Sequence, residues 1–276
     1  MPLGLGQLIT ASDISGNVAV EKSGGRVSYA NTKSLFLDGT GDTFSPGFTA
    51  AQKETFFQDD FTISFWGNFN MNNNNWYAFG FDSTHGGATS LTVRMLNLGG
   101  GNSWYVTGKF NNISWQTGFL ATGLTGDKTT WVHIAMTVEK GANPSDGNTF
   151  KMYQNGSLLN SGGTTATIAG NMAATTFQTD VDLSFGALTN ASGSTTHGDM
   201  KVDEVAFFDS ALDANNVAAI YNSGSTFDLR SANGNYKKQA NLVRYYRLED
   251  NLTDTQGVTD GSTQGDPTFD SNTPDS

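Results

Sequence analysis

The carboxylates are the side chains with the clearest capacity for acid–base catalysis, because the chain has no cysteine and only three scattered histidines. A retaining β-sandwich glycosidase needs two carboxyl groups about 5 Å apart, which a run of the type Glu-x-Asp-x-Glu on one strand would supply. The nearest runs are Asp180-Val181-Asp182 and Asp203-Glu204, and neither follows that pattern. The sequence therefore predicts that the protein is not an enzyme.

His133 is the histidine that could act as a general base, because it lies within the apolar run from Trp131 to Ala135. No acidic residue lies close to it in sequence to orient its ring. A histidine in the middle of a strand is more often hydrogen-bonded on the polar face of a sheet than catalytic. We therefore expect a structural role for His133.

Aromatic side chains concentrate in two segments that are suited to binding sugars. The first places the amide-rich run 72–75 before Trp76 and Tyr77, and the second contains Trp104, Tyr105 and, further on, Trp115. Sugars stack the CH faces of their rings on aromatic side chains, while amides bind their hydroxyl groups. The residues predicted to bind carbohydrate are Asn74, Trp76, Tyr77, Trp104 and Trp115. The alternative is that Trp76 and Trp104 begin strands and face the core.

The charge balance argues against nucleic acid as a partner. The chain has 26 acidic and 15 basic residues, a net charge of −11, and its lysines and arginines form no stripe that could follow a phosphate backbone. The N-terminus has no basic start, and glycines interrupt its apolar run, so we expect no signal peptide. No apolar run approaches the ~18 residues of a membrane helix. These features predict synthesis in the cytoplasm without membrane insertion.

Short alternating apolar runs, separated by Gly, Asn, Ser and Thr, predict many strands joined by turns. The clearest strand is 131–138, in which every second residue is apolar. Tyr77, Phe79 and Phe81 also alternate, which predicts that they share one strand face. These runs predict an all-β fold, a two-sheet antiparallel jelly-roll sandwich with one short helix.

The predicted helix begins after a capping Asp213 and ends at Gly224. A strand at 242–248 is expected to complete the sandwich of its own chain or of a neighbour. Residues 251–276 are too polar to build a core, which predicts that they pair with another subunit. The predicted organisation is an N-terminal arm at 1–30, a sandwich at 31–235, and a C-terminal strand and polar tail at 236–276.

Five segments occur in an order that resembles one family. They are Ser34 to Asp42, Phe61 to Trp66, Trp131 to Ala135, Phe150 to Gly156 and Val202 to Phe208. Over roughly residues 30–225 this order resembles the laminin G-like (LamG) branch of the concanavalin A-like lectin/glucanase superfamily. The resemblance implies the same sandwich fold.

The position of one further segment departs from the family pattern. A segment like Tyr245 to Asn251, with Asp254 and Gly257 after it, usually precedes the domain, whereas here it follows it. This arrangement resembles LamG-like proteins of bacteriophage particles. It implies a non-enzymatic virion structural or decoration protein on a capsid or tail, made in the host cytoplasm. Its partners would be copies of itself or other virion proteins, with a host glycan as a candidate further partner. The alternative is a monomeric carbohydrate-binding lectin module.

The same resemblance implies a candidate structural calcium ion. The family often holds Ca²⁺ between the Asp of the Val-Asp-Glu strand and the loop after the first strand. Residue by residue, this corresponds to Asp203 with Asp38 and Asp42. Carboxylate oxygens are the ligands that Ca²⁺ prefers. The alternative is that Asp203 only accepts hydrogen bonds from backbone amides.

Overall fold

The computed structural model describes most of the chain from residue 27 onward, together with one short strand before it. The described residues are 18–20, 27–70, 76–82, 90–97, 102–110, 113–117, 120–124, 127–142, 147–159, 166–168, 183–188 and 196–276. Every strand pair among them is antiparallel. Two strands near the N-terminus, β1 (Val18–Val20) and β2 (Val27–Tyr29), pair with each other.

The larger of the two main sheets, called sheet I, has nine strands among the described residues. Its strands are β3 (Ser34–Asp38), β5 (Phe61–Asn70), β11 (Asp127–Glu139), β12 (Asn148–Gln154), β13 (Ser157–Leu158), β14 (Ala166–Ile168), β16 (Asp199–Phe208), β17 (Leu242–Tyr246) and β19 (Thr268–Asp270). The spatial order is β13-β12-β11-β5-β16-β3-β19, with β14 also paired to β12 and β17 also paired to β16. The three long strands β11, β5 and β16 therefore lie side by side at its centre.

The second main sheet, called sheet II, has eight strands in the described part of the chain. Its strands are β4 (Thr43–Ser45), β6 (Trp76–Asp82), β7 (Ser90–Asn97), β8 (Asn102–Phe110), β9 (Ile113–Gln116), β10 (Leu120–Ala121), β15 (Ser184–Phe185) and β18 (Ser262–Gln264). The order is β10-β8-β7-β6-β15-β4-β18, and β9 also pairs with β8.

The inner faces of the two sheets form one apolar core. Alternate residues of the central strands point into it, as the period of two in their sequences predicts. Members from sheet I include Ile63, Ile134 and Val202, and members from sheet II include Val93 and Phe185, each at most 1% exposed. The predicted all-β, two-sheet antiparallel sandwich is therefore confirmed.

Two short α-helices accompany the sandwich in the described residues. The predicted one, α2 (Ala214–Tyr221), begins after Asp213, whose Oδ1 accepts a hydrogen bond from the Asn216 N–H at 2.8 Å. It ends at a left-handed Asn222, two residues before the predicted Gly224. The other, α1 (Ala50–Phe57), was not anticipated, although Thr49 and Gln52 form a capping box at its start. Neither helix is long and apolar enough to cross a lipid bilayer.

A second apolar cluster covers the outer face of sheet I. Phe208 and Ala206, which point outward from β16, pack with Ile220 of α2 and with Tyr236 from the segment that follows. Sheet I is therefore buried on both faces at its centre. The burial pattern of β5 reflects this, because nine consecutive residues from Phe61 are buried.

The C-terminal segment belongs to the sandwich of its own chain. Strand β17 pairs with β16, β18 with β4, and β19 with β3. Residues 251–276 therefore pack on the sandwich of their own chain, and their contact with another subunit stays a prediction. Polar contacts hold this segment where apolar ones are few: Asn272 Oδ1 accepts a hydrogen bond from Trp131 Nε1 at 2.7 Å, and Lys201 forms an ion pair with Asp270 at 2.9 Å.

Candidate functional site

His133 lies on the covered outer face of sheet I and is fully buried. Its Nε2 is 2.8 Å from Ser64 Oγ, and its ring centroid lies 5.4 Å from that of Trp66. Burial lowers its pKa from 6.5 to about 3, because a charged imidazolium would lose its hydration there. The ring is therefore neutral near pH 7 and performs the structural role expected from the sequence.

Two buried carboxylates lie beside this histidine on the same covered face. Strand β16 has a bulge at Asp203 and Glu204, where Glu204 adopts a left-handed conformation with φ of 50°. Burial raises the pKa of both carboxyl groups well above the usual range. Their oxygens accept hydrogen bonds from Asn31 Nδ2, at 2.8 Å and 3.3 Å, and the Tyr245 hydroxyl donates to Glu204 Oε2. Through these hydrogen bonds the two carboxyl groups connect β16 to Asn31, which precedes β3, and to Tyr245 in the C-terminal strand β17.

The space beside the buried carboxylates is too small for a substrate. A cavity of about 10 Å³ is lined by His133, Glu204 and Phe227, among others. A cavity of this size holds about one water molecule. A sugar ring therefore cannot reach Glu204 in this fold.

The three residues predicted to bind calcium do not come together. Asp38 lies opposite Asp199 on β16, whereas Asp203 is four residues further along that strand, which separates their backbones by roughly 13 Å. Asp42 accepts the backbone N–H groups of Asp38 at 3.1 Å and Asp266 at 2.9 Å. In the described part of the chain no group of three or more acidic or histidine side chains could hold a metal ion. The structure therefore does not bring the predicted calcium ligands Asp38, Asp42 and Asp203 together into one group.

The outer face of sheet II carries a row of three long side chains. Tyr77 of β6 is paired with Arg94 of β7, which is paired with Tyr105 of β8. All three are half-buried. The Arg94 guanidinium lies over the Tyr105 ring, with its Cζ 4.7 Å from the ring centroid, a distance at which cation and ring attract each other.

A parallel row of smaller polar side chains lies beside the first. Thr92 of β7 and Thr107 of β8 are cross-strand partners whose hydroxyl oxygens are 2.6 Å apart. Gln116 of β9 pairs with Thr107 and is exposed, and its Oε1 accepts a hydrogen bond from the Tyr105 hydroxyl. Neither of the two buried apolar clusters of the described residues includes a side chain from this face. The face thus presents flat rings next to hydroxyl and amide groups.

The residues predicted to bind carbohydrate have different positions. Trp104 is fully buried in the core, where its ring packs edge-on against Phe69 at 5.1 Å, so its predicted role in binding is wrong. Tyr77 lies on the open face of sheet II. Trp76 begins β6 opposite Met95, Trp115 lies in β9 opposite Gly108, and Asn74 is outside the described residues.

Arg94 was missed as a site residue, and Tyr105 was noted only as the neighbour of Trp104. A usable signal was present, because Leu91, Val93 and Met95 alternate inward and so place Arg94 outward.

A register shift between Tyr77 and Phe79 separates these two residues onto opposite faces, contrary to the predicted shared face. The bulge is what brings Tyr77 beside Arg94.

A second depression, of about 360 Å³, lies between α1 and the C-terminal segment. Its wall contains Arg244, whose side chain is 2% exposed and forms an ion pair with Asp254 at 3.4 Å. Arg244 Nη2 also donates to Gln52 Oε1 at 3.0 Å. The polar groups named here already form hydrogen bonds and an ion pair with one another. The open face of sheet II is therefore the better candidate site.

Comparison with known proteins agrees with this architecture. The family model Laminin_G_3, described as concanavalin A-like lectin/glucanases superfamily, matches residues 30–218, more than half of the chain. No curated protein sequence matches the chain at a significant level.

Two solved structures show the same fold at low sequence identity. One, from Bacteroides ovatus ATCC 8483, is described as a candidate carbohydrate-binding protein; it is 19% identical, with 89% of this chain and 61% of that one aligned at a TM-score of 0.57. The chain thus corresponds to less than two thirds of that protein. The other, a heptameric SAP-like pentraxin from Limulus polyphemus, is 12% identical, with 85% and 95% aligned at a TM-score of 0.50.

Proposed function

Since the chain belongs to the concanavalin A-like lectin/glucanases superfamily through a Laminin_G_3 domain, we propose that it is a non-enzymatic carbohydrate-binding module. The proposed binding site is the open face of sheet II. The observation that carries the proposal is the row of Tyr77, Arg94 and Tyr105 beside Thr92, Thr107 and Gln116. The Bacteroides structure described as a candidate carbohydrate-binding protein supports the same class of function.

The chemistry of this face suits a sugar. A tyrosine ring offers an apolar plane for the CH groups of a pyranose, and threonine and glutamine side chains exchange hydrogen bonds with its hydroxyl groups. The Tyr105 hydroxyl donates a hydrogen bond to Oε1 of the exposed Gln116. This contact leaves the amide N–H groups of Gln116 to bind a ligand. A pre-positioned amide loses less conformational entropy on binding than a free one.

Substitution of Tyr105 tests this site. Tyr105→Ala removes the ring on which Arg94 stacks and the hydroxyl that holds Gln116. We expect about tenfold weaker binding of any glycan that the wild type binds, because both groups lose their fixed positions. Tyr105→Phe is the matched control, since it keeps the ring and loses only the hydrogen bond to Gln116. A glycan array followed by calorimetry measures both variants. Binding by Tyr105→Ala at the wild-type affinity would place the site elsewhere.

The absence of catalysis is part of the proposal, and the enclosure of the Asp203–Glu204 pair supports it. Both carboxylates are buried, and the cavity that Glu204 lines holds about one water. We expect no release of reducing sugar from β-glucans by the purified protein. Hydrolysis that disappears in Glu204→Gln would contradict this part.

We also propose that the module serves on a virion, on a capsid or tail, with copies of itself or other virion proteins as partners. Support comes from chain order: the segment beginning at Leu242 follows the domain and adds β17 to sheet I from the C-terminal side. Co-sedimentation of the protein with particles through a density gradient tests this. A monomer that binds glycans and never sediments with particles would favour the alternative, an isolated lectin module.

A further inference from the structure

Arg94 differs from the other arginines that the structure describes. Arg230, Arg244 and Arg247 each lie within 4 Å of a carboxylate oxygen, at 2.8, 3.4 and 3.7 Å respectively. No such ion pair involves Arg94 in the described residues, although the chain carries 26 acidic and 15 basic residues. In a protein with this excess of carboxylates, an unpaired arginine at the centre of an open sheet face indicates a site for an external anion.

The environment of Arg94 holds its guanidinium in one orientation. The group stacks on the Tyr105 ring at 4.7 Å, and Tyr77 is its cross-strand neighbour on the other side. Its Nε is buried and has no hydrogen-bond partner. A stacked guanidinium keeps its N–H groups in its own plane, away from the ring, so they remain free to donate. Because Nε is closed to solvent, an external anion would meet the terminal Nη1 and Nη2 groups.

The shape of the free groups matches an anion with two acceptor oxygens side by side, such as a carboxylate. A guanidinium fork and a carboxylate form two parallel N–H···O bonds, and such charge-assisted pairs are stronger than neutral hydrogen bonds. The neighbouring Thr107 and Gln116 supply a hydroxyl and an amide group for the rest of a sugar ring. A ligand with a carboxylate and several hydroxyl groups on one small ring system would satisfy both sets of groups.

We propose that the open face of sheet II binds an acidic glycan, through a bidentate contact between Arg94 and the carboxylate of a uronic or sialic acid residue. This inference rests on the proposed carbohydrate-binding function and specifies its ligand class. It predicts that affinity falls as ionic strength rises, because part of the binding energy is an attraction between charges near the protein surface.

Pairs of glycans that differ in a carboxylate-bearing group provide the test. Sialyllactose is compared with lactose, and galacturonan oligomers with galactan oligomers of equal length, which also separates the two sources of the carboxylate. For at least one pair we expect the acidic member to bind about tenfold or more tightly than the neutral one. Arg94→Gln should reduce its affinity to that of the neutral member, while Arg94→Lys should retain part of the gain. Arg230→Gln, on a distant surface, is the control and should bind like the wild type.

The outcomes separate this inference from the function on which it rests. If neutral glycans bind as tightly as acidic ones, or if Arg94→Gln leaves the acidic affinity unchanged, the acidic-ligand inference is wrong and the carbohydrate-binding function stands. If a full glycan array gives no binding to the wild type, both are wrong. If the acidic preference survives in Arg94→Gln and disappears at high salt, the attraction comes from elsewhere on the surface, and the role of Arg94 is wrong.

Discussion

The outer faces of both sheets carry polar and aromatic side chains, but these side chains are buried on sheet I and partly exposed on sheet II. On sheet I, α2 and the segment after it cover His133, Asp203 and Glu204, and burial moves their pKa values far from the usual ranges. On sheet II, Arg94 and Tyr105 stay half-buried beside an exposed Gln116. The covered face therefore uses polar groups to join segments of the fold, whereas the open face leaves them partly exposed, where we propose that a ligand binds. The residue types alone do not distinguish the two roles.

The adjacent residues Trp104 and Tyr105 give the sharpest contrast, because they lie on opposite faces of β8. Trp104→Ala removes a fully buried ring, and we expect a loss of about 3–5 kcal/mol in the free energy of unfolding. Urea denaturation measures it. Correctly folded Trp104→Ala, examined well below its melting temperature, should still bind glycan; a selective loss of binding with little loss of stability would move Trp104 into the site.

His133 should make the covered face sensitive to acid. Its folded pKa of about 3 lies below the ordinary 6.5, so its contribution to stability is complete above pH 6.5 and is lost as the pH falls. We expect this single group to remove about 2 kcal/mol by about pH 5, since each unit below the unfolded pKa costs about 1.4 kcal/mol. The measurement is urea unfolding of the wild type and of His133→Gln across that range.

One control variant and one contradicting outcome define the result for His133. His197→Gln makes the same substitution outside the covered layer and should follow the wild-type profile. Parallel profiles for the wild type and His133→Gln would show that the imidazole is hydrated in the folded protein, and that the covered face is more open than the structure indicates.

The carboxyl pair should respond in the opposite direction. The folded pKa of Asp203 is raised by burial, so its favourable contribution is complete below the unfolded value of about 3.9 and is lost as the pH rises through the folded pKa. Asp203→Asn keeps an oxygen for the Glu204 N–H and cannot ionise. We expect the stability of the wild type, relative to this variant, to decline from weakly acidic to weakly alkaline pH.

Thermal denaturation over that pH range measures the difference, with the exposed Asp59→Asn as the matched control. A wild type that instead gains stability over Asp203→Asn as the pH rises would mean that the ionised pair is well compensated, chiefly by Arg247, which lies 3.7 Å from Glu204.

The smallest effect on stability is expected on the open face. Tyr105→Ala removes a half-buried ring at the surface, and surface substitutions usually change the free energy of unfolding by less than about 0.5 kcal/mol. The same variant should lose glycan affinity, as proposed above. A loss of stability as large as that of Trp104→Ala would show that Tyr105 is a packing residue, and would remove the contrast between the two faces.

The sequence by itself determined the sandwich and most of its strands. Alternation of apolar residues in runs such as 131–138 has a period of two, and this period fixes which side chains face the core of a half-buried strand. The cap at Asp213 predicted α2, and the family resemblance agreed with the matched domain at 30–218.

Only the tertiary structure decided which residues form the candidate site. The period of two predicted that Tyr77 shares a face with Phe79, but a bulge in β6, stabilised by pairing with β7, turns Tyr77 outward. The sequence predicted that Trp104 binds a sugar, but the structure packs its ring against Phe69 in the core. Asp203 corresponded by family position to a metal ligand, yet the register of β16 against β3 places it far from Asp38. Each outcome depends on contacts between segments distant in sequence, and a local pattern carries no information about them.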